Sequence, residues 1–311
     1  MTLQRSVTTT VDPDSCIGCG LCVEVCPAGT LTMHDGKAVV TGTYSMGCGH
    51  CEAVCPVSAI LVEALEHPFG LSCAPVDDSW LPPGEYDTAQ LVRLMRSRRS
   101  CRNYSEKHVD RRLLEDLVKI GTTAPSGTNS QLWTFTILGR REEIVILGEK
   151  IAGFFANLNS MAEKPWLRFL SRFFGTNELG RYHRRHYKTV CDGLILWTQE
   201  GEDTLFHGAP AAILVGGKKE ASSPMEDAIL ASQNIMLAAH SLGLGSCMIG
   251  FAVEAIRRDR SIQKILELPE DETIFAVIAL GYPAERYAKG GLRKKISPRF
   301  PNLDQGNEAD A

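Results

Sequence analysis

No apolar run in this chain of 311 residues is long enough to cross a bilayer, and Met1–Asp14 holds no apolar core of signal length. Cationic charge is not in excess either. Lys and Arg number 33 against 37 Asp and Glu, a formal net charge of −4, which argues against nucleic acid or an anionic membrane as the main partner. The G-x-G-x-x-G fingerprint of a nicotinamide-binding βαβ unit is missing. Cysteine is plentiful at 11 residues, but without an export signal these thiols suit a reducing cytoplasm rather than a disulfide framework. The expectation is a soluble cytoplasmic protein, and the length allows about two domains.

What is present begins with C-I-G-C-G-L-C-V-E-V-C-P and, after a short interval, S-M-G-C-G-H-C-E-A-V-C-P. Cys16, Cys19, Cys22 and Cys26 follow the C-x2-C-x2-C-x3-C-P spacing of bacterial iron–sulfur ligation: three thiolates converge from one loop and the fourth is carried off on a helical turn. Zinc sites show two separated pairs rather than a triple followed by C-P. Gly18, Gly20, Gly47 and Gly49 allow the backbone to approach inorganic sulfide. The stretch resembles a two-cluster bacterial ferredoxin. That resemblance implies cross-ligation, with Cys16, Cys19, Cys22 and Cys55 on one 4Fe–4S cluster and Cys26, Cys48 and Cys51 on the other. The pattern wants a cysteine where this chain has Ser45, which leaves three outcomes open: a 3Fe–4S cube, a serine alkoxide ligand, or recruitment of Cys73. His34 and His50 read as solvated side chains.

Residues 1–62 are expected to form this ferredoxin-like module, with a hairpin about Asp35-Gly36 between the cysteine runs. Residues 63–87, rich in Pro and Gly yet carrying Leu, Val, Phe and Trp, read as an ordered connecting arm laid along a protein surface. From residue 88 to 311 the character is that of a larger α+β domain, a mixed central sheet flanked by helices. Helices are expected in the stretch 87–100 and over 110–121, 142–157, 224–242 and 252–266, and strands over 134–138, 209–216 and 273–281.

Four blocks in this second part suit an anionic, planar cofactor. Arg98, Arg99, Ser100 and Arg102 end the first helix; A-P-S-G-T-N-S-Q supplies small side chains and amides; G-L-G-S-C-M-I-G-F (243–251) is a glycine-rich turn; and G-L-R-K-K closes with Arg293, Lys294 and Lys295. Together, in this order, they resemble the nitroreductase family of FMN flavoproteins over roughly residues 88–298. The resemblance implies that Arg98, Arg99, Ser100 and Arg102 hold phosphate and ribityl groups, with Arg293, Lys294 and Lys295 approaching the phosphate, because guanidinium forks stay charged and bind phosphate bidentately. It also implies that Pro125, Ser126, Gly127 and Asn129 come from the opposing subunit of a homodimer and that Gln131 lies near the ring edge. Leu132 stands where the family frequently has proline. In the turn Ser246, Cys247, Met248, Ile249 and Gly250, backbone N–H groups would face the flavin N5, with Ile249 the chosen donor. Cys247 has no identifiable base partner and reads as a packed thiol.

The run R-Y-H-R-R-H-Y-K (181–188) reads as a solvated face, or else as a docking surface for an acidic partner or the mouth for an anionic substrate. Phe155, Trp166, Phe169, Phe173 and Phe174 suit a lid or a core equally. The adopted reading is an FMN-dependent oxidoreductase in which two iron–sulfur clusters, at about −400 mV, pass electrons to FMN and on to a small organic acceptor, a nitroaromatic, quinone or activated alkene. The donor is NAD(P)H or reduced ferredoxin, because the family binds NAD(P)H on FMN without a βαβ fingerprint. Two rivals stand beside it: a redox sensor or electron-transfer adaptor, and a dehydrogenase passing electrons out through the clusters.

Overall fold

The computed structural model describes residues 6–173, 175 and 177–301. Phe174 and Thr176 of the aromatic segment, and the end of the expected second domain, lie outside these residues. Two packed units follow one another along the chain.

The first is built on β1 (Thr9–Val11), β2 (Leu31–His34), β3 (Lys37–Val40) and β4 (Ile60–Val62), with β1 antiparallel to β4 and β2 to β3. The β2–β3 hairpin turns on Asp35 and Gly36, with φ of 47° and 76°, as an Asp-Gly two-residue turn requires. One helical turn lies within each cysteine run, Leu21–Glu24 carrying Cys22 and His50–Ala53 carrying Cys51. The core is small: Leu31, Ala38, Ile60 and Val62 bury with the Cys22 and Cys51 side chains. A module this thin in apolar contacts needs a staple.

No regular element occurs between Val62 and Thr88. Part of this stretch is fastened as expected: the buried Asp116 carboxylate accepts the N–H groups of Ser72 (2.8 Å) and Cys73 (2.7 Å), and Lys119 pairs with Glu66 at 2.8 Å. Farther on it is open to solvent, with Trp80 79% exposed.

The second unit centres on a four-stranded sheet, β5 (Trp133–Leu138), β6 (Ala211–Lys218), β7 (Gly245–Met248) and β8 (Glu272–Gly281), in the order β5-β6-β8-β7. Every ladder is antiparallel. The parallel component of the expected mixed sheet shrinks to one isolated bridge, Ser100 to Ser246, because each strand returns beside its neighbour after a helical excursion. β6 and β8 are buried on both faces, which explains their unbroken apolar runs. Helix Pro224–Ser241 packs its alanines with helix Arg111–Gly121 over one face, and helix Arg141–Glu163 covers the other. Asp110 caps helix Arg111–Gly121 by accepting the N–H of Arg112, so that helix starts where its sequence says it should.

Three boundaries differ from expectation. Helix Arg141–Glu163 runs past residue 157, because Phe155, Asn159 and Ala162 continue its buried face. The helix expected over 252–266 is two, Gly250–Arg258 and Arg260–Ile265, broken at Asp259 (φ −111°, ψ 109°), whose carboxylate caps the second by accepting the Ser261 N–H. The glycine-rich turn at 243–251 is strand β7 in its central part, since Gly245 to Met248 pair with Ile278 to Gly281.

Candidate functional site

Two small cages sit in the first unit. One is lined by Cys16, Cys19, Cys22 and Cys55, the other by Cys26, Cys48 and Cys51 with Ser45 and Met46. The partition is the crossed one that the ferredoxin resemblance implies. Ser45 takes the place of a fourth thiol; it is nearly buried and its Oγ accepts the Gly47 N–H at 3.1 Å. Cys73, exposed and held on the Asp116 side by its own N–H, lines neither cage.

The backbone supports the thiols. The Thr30 N–H points at Cys26 Sγ (3.3 Å) and the Ala59 N–H at Cys55 Sγ (3.2 Å), contacts of the kind that set cluster potentials. Amide donors from Ala38 and Gly18 hold the Cys16 thiol below its ordinary value, whereas burial raises those of Cys22 and Cys51. Gly18 has φ 71°, and a Cβ there would stand 2.0 Å from the Gly36 carbonyl oxygen, so only glycine fits.

In the second unit, three of the four predicted blocks meet. Cys101 donates its N–H to the Ser246 carbonyl (3.0 Å), tying the Arg98–Arg102 turn to β7, and Gly291 donates to Arg96 O (2.7 Å), fastening the start of the 291–295 segment to the end of helix Thr88–Ser97. Arg99 lies over the Tyr287 ring at 4.8 Å. Beyond this junction opens a cavity of about 1260 Å³, whose floor is Cys247 to Gly250 and whose rim includes Arg102. The volume exceeds the usual ~300–1,000 Å³ of ligand pockets, enough for a flavin ring and a second molecule. Phe154, Phe155, Leu158 and Phe251 form an apolar wall.

Ile249 does not serve as the donor foreseen for it. Its N–H goes to the Val277 carbonyl at 2.8 Å, because the β7–β8 pairing continues past Met248. The amide groups left without an intrahelical acceptor are those of the first turn of helix Gly250–Arg258, beginning with Gly250. Ser246 is buried, with an unpartnered Oγ, and does not line the cavity; Cys247 is a core thiol that also touches the floor.

The fourth block lies elsewhere. Pro125 to Gln131 is absent from the cavity wall. It is pinned by Asp227, a 4% exposed carboxylate that accepts Gly127 N–H (2.8 Å) and Ser130 Oγ–H (3.3 Å), and by Ser222, whose hydroxyl donates to Gly127 O at 2.7 Å. Thr128, Asn129 and Gln131 all have positive φ, 50–52°. Asn129 donates from Nδ2 to the carbonyls of Met46 (3.0 Å) and Gly47 (3.1 Å), on the wall of the Ser45 cage.

Sequence reasoning passed over several side chains that the fold makes prominent. Asp227 is one. His207 lines the cavity at φ 57°; burial, then the Arg102 charge, pushes its pKa below the ordinary value, so it is neutral near pH 7. Asp203 holds that loop, collecting the N–H groups of Leu205, Phe206 and Gly208 and the Arg141 guanidinium (2.7 Å). The basic run is not simply a solvated face: Arg181, Arg185 and His186 line the cavity mouth. Glu178 and Glu254 there are engaged by Arg258, at 3.4 and 2.6 Å, and no ion pair holds Arg181 or Arg185 among the described residues. The aromatics divide: Phe155 is core, while Trp166 and Phe169 are exposed.

Residues 95–282 match the nitroreductase family and residues 9–32 the 4Fe-4S binding domain. The chain is 26% identical over 212 residues to the iodotyrosine deiodinase of Haliscomenobacter hydrossis, covering 67% of this chain and 86% of that one. It is 25% identical over 217 residues to the 4-nitrobenzoate reductase of Nocardioides sp., covering 61% and 78%. Among solved structures, the nitroreductase of Bacteroides fragilis with bound FMN aligns over 68% of this chain and 95% of its own, at 24% identity and a TM-score of 0.48.

Proposed function

The chain belongs to the nitroreductase family and carries a 4Fe-4S binding domain, and from that premise we propose that it is an iron–sulfur flavoprotein that relays electrons from two clusters through FMN to a small anionic or neutral aromatic acceptor. The observation that carries this is the tie between the Arg98–Arg102 turn and β7, with Arg102 and Cys247 to Gly250 lining one cavity and Gly291 fastened to Arg96, in a chain that also forms two cysteine cages. Bound FMN would supply the conversion between single electrons and pairs. Arg98, Ser100 and Arg102, with Arg293 to Lys295, would hold its phosphate; the Gly250 N–H would face the ring; His207 would offer a neutral imidazole beside it. The first cage fits a 4Fe–4S cluster, and the second fits one bound by three thiolates and Ser45.

A second copy of the chain completes the site in this proposal. Helix Thr88–Ser97 buries no residue, and Leu91, Val92 and Met95 on it are exposed together with Met225, Ile229 and Leu230 of helix Pro224–Ser241 and with Leu292, Ile296 and Phe300 of the C-terminal stretch. So much uncovered apolar surface marks an association face. The loop 125–131, remote from its own cavity, would then reach the partner's. Anaerobic turnover tests the relay: nitroaromatic reduction sustained by a reduced ferredoxin should vanish in Cys19→Ala, and its persistence at full rate in that variant would refute cluster participation.

A further inference from the structure

Two cages stand in the first unit, and only one touches the second unit at a predicted flavin residue. The Ser45 cage is walled by Met46, whose carbonyl, with that of Gly47, accepts both hydrogen bonds from the Asn129 amide. Neither cage takes a wall residue from the second unit, but among the described residues only the Ser45 cage has a wall residue hydrogen-bonded from it. Asn129 itself is held in a conformation that a chain does not adopt without cause. Thr128, a β-branched residue, has φ 52°, as does Asn129, and Gln131 has φ 50°. The cost is sustained by the buried Asp227 and by Ser222, which fix the loop at Gly127. The loop is therefore rigid at its root and presents the Asn129 amide to the cage.

We propose that Asn129 is a positioning residue that clasps the Ser45-side cage to the flavin loop, making that cage the exit of the relay and the Cys16-side cage its entrance. This rests on the reading of the chain as a cluster-to-flavin relay. In balance, each electron leaves the Ser45-side cluster, oxidising it by one unit; two such electrons with two protons from solvent reduce one flavin, and the lost cluster electrons are replaced through the other cage by an external one-electron reductant. An amide suits the clasp because its two N–H bonds can serve two adjacent carbonyls, whereas a carboxylate at the same position has no donor and would repel both.

The test is flash photoreduction of the anaerobic holoprotein with a deazaflavin donor, following the concentration-independent phase in which flavin is reduced. That rate constant is counted only over molecules holding both groups, so lowered flavin occupancy does not enter it. Asn129→Ala and Asn129→Asp should slow the phase by about ten-fold, the effect expected when two hydrogen bonds that hold the docked geometry are lost. Both variants should also raise hydrogen–deuterium exchange over residues 42–50, measurable even in flavin-free protein, and alter the paramagnetic signal that Ser45→Cys alters, leaving the other cluster's signal in place. An unchanged rate, or unchanged protection of 42–50, overturns the clasp while the relay stands. Absence of any concentration-independent phase in the unmodified protein refutes the relay itself, and the clasp with it.

Discussion

Asp227→Ala should loosen the flavin loop more than any other single change outside the cavity. The carboxylate is 4% exposed and accepts from Gly127 N–H at 2.8 Å and from Ser130 Oγ–H at 3.3 Å. A hydrogen bond to a charged acceptor is worth about 1.5–3 kcal/mol, and the 3.3 Å contact falls at or below the low end of that range. Truncation also strands the Gly127 N–H, so the loss is about 3 kcal/mol in total, with Asp227→Asn costing about 1–2 because its carbonyl still accepts that N–H. For a chain of this size 3 kcal/mol lowers the melting temperature by about 6–10 °C. Released at its root, the loop would let Thr128, Asn129 and Gln131 leave the left-handed region, and flavin should bind at least about ten-fold more weakly, the equivalent of 1.4 kcal/mol. Thermal melts of the holoprotein followed by flavin fluorescence give both numbers. An Asp227→Ala protein that melts within a degree of the parent and keeps its flavin would refute the reasoning.

Other perturbations separate the parts. Arg98→Ala should empty the flavin site and leave iron in place, while Cys19→Ala should lose iron and retain flavin; metal and flavin analysis of each purified variant checks both. Arg181→Ala/Arg185→Ala should raise KM for a nitrobenzoate several-fold and leave KM for nitrobenzene unchanged, since among the described residues no carboxylate is paired with these two cavity-lining cations. His207 has a folded-state pKa below its ordinary value of 6.5, so between the two values the unfolded chain binds the extra proton. Stability from this group is therefore present above pH 6.5 and is lost as pH falls below it, and His207→Gln should flatten that part of a denaturation-versus-pH curve.

Much of this was legible in order along the chain. The spacing of Cys16, Cys19, Cys22 and Cys26 pointed to iron–sulfur ligation because that loop geometry is local, and the Asp35-Gly36 turn and the Asp110 cap are likewise local; the grouping of Cys55 with the first run came only from the ferredoxin resemblance. Legibility ended where a contact spans the fold. Asp227 meets Gly127 across 100 positions and Asn129 meets Met46 across 83, separations no periodicity encodes. Ile249 was misassigned for a related reason: G-L-G-S-C-M-I-G reads as a turn until β8 is placed beside it, after which pairing consumes the Ile249 N–H. His207 left no trace in the sequence, since its position depends on Asp203 and Arg141 arriving from different elements.

Anaerobic iron, sulfide and flavin analysis, combined with electron paramagnetic resonance of the same sample, bears most directly on the joint presence of clusters and flavin. The account predicts about one FMN and roughly seven to eight irons per chain, with two distinguishable cluster signals. Oxygen-free protein that is colourless, or that holds iron but never flavin, would contradict it.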